Sequence, residues 1–151
     1  MTAEREDLPS AVAADIKGDF RPPLTADEAN LRFTGFLADV TRDCAKAGAV
    51  MIGHVKANAR SGKEMLSMNS TTEDGNVRTR SKFTSDVKEY TMTINVIIYG
   101  ITEEIISQIL DRRCTILGRN SIKVYSDTGC KDPKCNDPAC KLDAHRIIKL
   151  E

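Results

Sequence analysis

The stretch KEYTMTINVIIY, residues 88–99, decides the fold class. Tyr90, Met92, Ile94, Val96 and Ile98 alternate with Thr91, Thr93 and Asn95. That is the period of a strand with one dry face and one wet face. A sheet built from such strands is expected to be antiparallel, with helices mainly on one side. Ile97 and Tyr99 fall on the nominally exposed side, so the strand faces are expected to support a homo-oligomer.

Downstream, Gly100 ends the strand and Thr102 caps a helix, with Glu103 and Glu104 at its positive end. Ile105, Ile106, Ile109, Leu110 and Arg113 share one side, and the isoleucines and leucine are assigned to the core. Upstream, Val50–Arg60 (VMIGHVKANAR) reads as a strand, Ser61-Gly62 as a tight turn, and Glu64–Ser70 as a second strand. Residues 71–76 (TTEDGN) form a loop by their turn residues, and Val77–Phe83 reads as a third strand at an edge. Further back, Thr25-x-x-Glu28 fits a capping box. Ala29, Phe33, Phe36, Leu37, Val40 and Cys44 then recur at helical spacing, and Gly48 is placed to stop that helix. Residues 1–23 are polar and weakly periodic, and are read as an N-terminal arm with a short helix near Ala11–Lys17.

Two short β-branched stretches, Ser121–Tyr125 and Arg146–Leu150, are expected to pair as a hairpin. The expectation is an α+β two-layer domain over residues 24–151, in the order α-β-β-β-α-β-β. A chain of 151 residues that is 40% apolar and 29% charged is long enough for one such core. Its formal net charge of zero gives no global field toward nucleic acid or anionic membrane. The opening residues carry acids at once and no continuous apolar run, which argues against a secretory signal and for a cytoplasmic home.

Between the hairpin stretches lies CKDPKCNDPAC, residues 130–140, within a loop assigned to 127–145. Cys130, Cys135, Cys140 and His145 follow one another at intervals of five. Fully extended, five residues separate successive cysteines by up to about 17 Å, whereas donors on one tetrahedral zinc lie ~4 Å apart. The chain must fold back, and Asp132-Pro133 and Asp137-Pro138 favour the type I turns that do so. Lys131, Lys134, Lys141 and Arg146 can offset the charge of three thiolates. Four protein ligands make a closed, structural Zn²⁺ site, with an iron–sulfur cluster as the alternative and a metal-free surface loop of free thiols or an internal disulfide as the plain reading. If Asp137-Pro138 opens a helix instead, Cys140 and His145 point about 140° apart. The fourth ligand must then come from His54, Cys44, Cys114 or a partner subunit.

Other features are weaker. His54, Lys56, Asn58 and Arg60 alternate on one face of their strand, with Met51, Val55, Ala57 and Ala59 on the other. His54, Lys56 and Arg60 are candidates for anion binding, or for a solvated face. Arg78, Arg80 and Lys82 alternate as a nucleic-acid row or as a charge-protected edge. Cys44 and Cys114 sit in helical patterns and read as buried apolar residues. No catalytic constellation, phosphate-cradling glycine loop or dinucleotide signature appears. The expected role is a zinc-binding accessory module that contacts an unidentified protein partner or its own copy, away from membranes. Nucleic-acid binding through the knuckle and basic strand is one alternative. An enzyme acting on a small anionic substrate around His54 is another.

Overall fold

A computed structural model describes residues 8–126 and 148–150 of the chain. The elements run β1 (Ser10–Leu24), α1 (Ala26–Lys46), β2 (Met51–Ser61), β3 (Glu64–Ser70), β4 (Arg78–Arg80) and β5 (Val87–Tyr99). They continue with α2 (Glu103–Arg113), a 3₁₀ turn (Cys114–Leu117), β6 (Arg119–Ser126) and β7 (Ile148–Leu150). All pairings are antiparallel, in a seven-stranded sheet of order β4-β3-β2-β5-β1-β6-β7. The chain is therefore an α+β domain with two main helices, in the order β-α-β-β-β-β-α-β-β rather than the order expected. The terminal hairpin forms as expected: Ile122 pairs with Leu150 and Val124 with Ile148.

The largest departure is at the start of the chain. Where a polar arm with a short helix was expected, Ser10–Leu24 is a strand between β5 and β6. Val12, Ala14, Ile16 and Phe20 are buried there, while Asp15 and Lys17 are exposed. That is a period of two, written in small residues that also favour helix. Hydrogen bonding on both sides overrides the local propensity. Gly18 has a packing role in this strand. A Cβ on it would stand 2.6 Å from the Tyr90 hydroxyl and 2.7 Å from the Arg119 carbonyl oxygen. The Tyr90 hydroxyl reaches past it and donates to the Leu117 carbonyl at 2.7 Å. Burial raises the pKa of that phenol.

A bulge corrects the face assignment in β2. Ile52 pairs with Ile98, but His54 pairs with Ile97, so Gly53 is the extra residue. Its Cβ would lie 2.7 Å from the Ile97 carbonyl oxygen, which favours glycine. The extra residue shifts the parity: Ile52 is buried with Val55, Ala57 and Ala59, and Met51 turns outward. The third expected strand is also shorter than Val77–Phe83, covering only Arg78–Arg80 at the edge of the sheet.

The first helix follows its sequence signals. Thr25 Oγ1 accepts from the Glu28 N–H at 3.2 Å, and the Thr25 N–H donates to Glu28 Oε1 at 3.0 Å. Ala29, Phe33, Phe36, Leu37, Val40 and Cys44 are all fully buried against the sheet. At the second helix, Ile105 N–H donates to Thr102 Oγ1 at 3.2 Å, and Ile106, Ile109 and Leu110 are buried. Both helices join the strand interior in one hydrophobic core, where the Phe33 ring contacts those of Phe20, Phe83 and Tyr90. Among the described residues, no helix is long and apolar enough to cross a membrane.

The helices are locked to each other by charge. Arg113 Nε donates to Asp43 Oδ2 at 2.6 Å and its Nη2 to Oδ1 at 2.9 Å; Arg112 Nη2 donates to Oδ2 at 3.1 Å. The side chain of Asp43 is only 8% exposed, so these bonds matter more than an open surface pair. Hydrogen bonds from Arg113, and then Arg112, outweigh desolvation and lower the Asp43 pKa. Replacing Asp43 with asparagine is expected to cost about 2 kcal/mol at neutral pH, read from urea unfolding. A lowered carboxylate pKa stabilises the fold above the unfolded value of about 3.9, and the gain is lost as pH falls through the lower folded value. The deficit of the variant should therefore shrink below about pH 4.

Candidate binding face

With both helices on one side, the other side of the sheet is uncovered by any described element. Directly opposed residues in an antiparallel pair point to the same face, so the register maps this surface. One row crosses the sheet as Met65, Arg60, Thr91, Lys17 and Ser121. The next is Arg80, Ser67, Asn58, Thr93, Asp15 and Lys123. A third is Arg78, Asn69, Lys56, Asn95, Ala13 and Tyr125.

The structure thus brings together two groups that looked separate in the sequence. Lys56 and Arg60 from β2 share a face with Arg78 and Arg80 from β4. Sequence reasoning missed Lys17 and Lys123, which join them once β1 and β6 are in register. The outward alternation of Asp15 and Lys17 around Ile16 was the available signal. Lys17, Lys56, Arg60, Arg78, Arg80 and Lys123 are exposed, and none makes an ion pair with a described residue. Asp15 is the acid within these rows, and accepts from the Thr93 hydroxyl at 3.3 Å.

Lys82 does not belong to the array. The chain leaves β4 at Ser81, whose φ is +52°, and Phe83 turns into the core. The Asn30 side chain holds that turn by two bonds of 3.0 Å to the Phe83 backbone. His54 is on the open face but in its apolar end, opposite Ile97. It does not line the open basin at the other end of the face. Val50 and Met51, 78% and 53% exposed, continue this apolar end beside the half-buried Tyr99. The face is therefore divided, with cations at one end and apolar side chains at the other.

The cationic end runs into an open basin of about 660 Å³. Lys17, Arg60, Thr91, Ser121, Arg119, Asp19 and Glu89 are among its lining residues. Arg119 Nη2 lies 3.4 Å from Asp19 Oδ2, and Arg21 Nε lies 3.6 Å from Oδ1, which is buried without a hydrogen-bond partner among the described residues.

Cys130, Cys135, Cys140 and His145 lie outside the described residues. Among the described residues, no group of three or more His, Cys, Asp or Glu side chains is placed to hold a metal ion. Cys44 and Cys114 are buried, as their helical spacing indicated. Desolvation, with smaller contributions from Asp43 and Asp111 respectively, pushes their thiols up to about 12 and about 11. Buried neutral thiols are poor nucleophiles and poor ligands. No protein family, curated protein or solved structure matches this chain. A thiol reagent near pH 8 is expected to spare Cys44 and Cys114 in the folded protein and to modify both in denaturant, as read by peptide mapping.

Proposed function

We propose that this chain is an accessory binding module whose working surface is the uncovered face of the sheet, and that its ligand is nucleic acid in single-stranded form. The observation that carries this reading is the array Lys17, Lys56, Arg60, Arg78, Arg80 and Lys123, contributed by four strands to one face without ion-pair partners among the described residues. A formal net charge of zero does not oppose it, because six cations share the three rows with one acid, Asp15. Hydroxyl and amide side chains between the cations, from Ser67, Asn69, Asn58, Thr91, Thr93 and Asn95, are suited to phosphate and sugar contacts. An open cationic face can track the backbone of a flexible single strand; contact here is to phosphate and sugar rather than by base stacking, since aromatics are 5% of the chain and Trp is absent.

Binding to a labelled single-stranded oligonucleotide should weaken steeply with salt. The log–log slope falls by about 0.7 per phosphate contact, so six contacts give a slope near −4. Lys56→Gln with Arg60→Gln should reduce its magnitude by about 1.4. Absence of binding at low salt would overturn the reading. If the protein instead sediments as a dimer that Met51→Glu dissociates, the assignment moves to self-association through the apolar end of the face.

The second part of the proposal is that the terminal loop is closed by structural Zn²⁺ at Cys130, Cys135, Cys140 and His145. The ligand types and spacing support this, and so does the pairing of β6 with β7. That pairing joins the two ends of the segment within the sheet, which lowers the entropy cost of gathering its ligands. Bound zinc would hold the loop as a fixed shape and take no part in chemistry, since a four-ligand site leaves no open position. Elemental analysis is expected to find about one zinc per chain, and Cys135→Ser to lose it. Iron and brown colour would assign a cluster; no metal in a reduced preparation would remove this part of the proposal.

A further inference from the structure

The basin at the cationic end of the face is more specific than a general anion surface. Its row reads Arg60, Thr91, Lys17 and Ser121, a cation and a hydroxyl in alternation across four adjacent strands. Adjacent strands are about 4.8 Å apart, so the backbones of Arg60 and Lys17 stand about 10 Å apart with Thr91 between them. Two long cationic side chains from either side of a hydroxyl form a site for one compact dianion. All four residues line the same basin, a depression of about 660 Å³ that is wide open to solvent.

The remaining charges refine the ligand. Arg119 and Asp19 are paired with each other, which leaves Lys17 and Arg60 as the cations available to a ligand. Glu89 lines the same basin as a hydrogen-bond acceptor. The hydroxyls of a sugar that carries the phosphate can donate to that carboxylate, as can the P–OH of free hydrogen phosphate. The adjoining row, with Arg80 and Lys123, continues the cationic surface away from the basin.

We infer that the basin binds a phosphomonoester on a sugar, as the terminal phosphate of a bound strand, with Lys17, Arg60, Thr91 and Ser121 as the contact residues. This rests on the reading of the face as a single-strand surface and adds a preference for one end of the strand.

The test compares oligonucleotides of one sequence with a 5′-phosphate, a 3′-phosphate or neither, using the full chain. One terminal phosphate is expected to tighten binding by about tenfold or more. Thr91→Val keeps the strand propensity and all charges. It should lower the ratio of phosphorylated to unphosphorylated binding severalfold, whatever it does to the unphosphorylated strand alone. Equal binding of all three oligonucleotides, with no competition by a nucleoside monophosphate, would overturn the inference and leave the reading of the face intact. Binding of the nucleoside monophosphate, sensitive to Thr91→Val but without any oligonucleotide binding, would keep the basin and overturn the reading of the face. An adverse effect of Thr91→Val on folding would show in urea unfolding, and Ser121→Ala then serves as the replacement variant.

Discussion

The sheet depends on the pairing of β1 with β5. These two strands are in register from Ser10 opposite Ile98 to Asp19 opposite Glu89, and every other strand attaches through one of them. β5 carries β2, β3 and β4 on one side, and β1 carries β6 and β7 on the other. Their inward faces, Val12, Ala14 and Ile16 with Met92, Ile94, Val96 and Ile98, are almost completely removed from water. Their outward faces put Lys17 and Asp15 beside Thr91 and Thr93 at the middle of the open surface. The same contact thus organises the core and the candidate site.

The division of labour between the two sheet faces follows from this arrangement. Helix α1 and helix α2 saturate one side with apolar contact and are joined by the Asp43–Arg113 pair. The other side retains side chains that cannot be buried cheaply without partners. Six cations without mutual neutralisation on one face repel each other, and that repulsion is relieved when an anion is bound. The Gly53 bulge separates this region from the apolar end, because it is where the alternation in β2 slips.

Much of the fold was legible wherever the hydrophobic period was strong. The pattern of Tyr90 to Ile98, the stripe from Ala29 to Cys44, and the caps at Thr25 and Thr102 all report local rules that the structure obeys. β1 was hard to read because Ala11, Ala13 and Ala14 carry little strand preference, and its stability comes from two neighbours distant in sequence. Met51 was misplaced because a bulge leaves no period of its own. The candidate face was half visible: Lys56 and Arg60, or Arg78 and Arg80, alternate within single strands. Their union with Lys17 and Lys123 depends on register, which no single segment encodes. Lys82 fails for the converse reason, since an alternating triplet continues past the point where Asn30 captures Phe83.

Placing β1 inside the sheet, between β5 and β6, also has consequences for how the chain is made. Ser10 and its neighbours leave the ribosome long before Ile98, and Val12 must wait longer still for Ser126. Closing such distant contacts is entropically slow, and topologies of this kind fold late in synthesis. Meanwhile β2 and β3 can already form their hairpin, with the β5-facing edge of β2 unpaired. A growing chain of this protein therefore carries an exposed strand edge until its central ribbon closes, which is the stage at which chaperone capture or misassociation is most consequential.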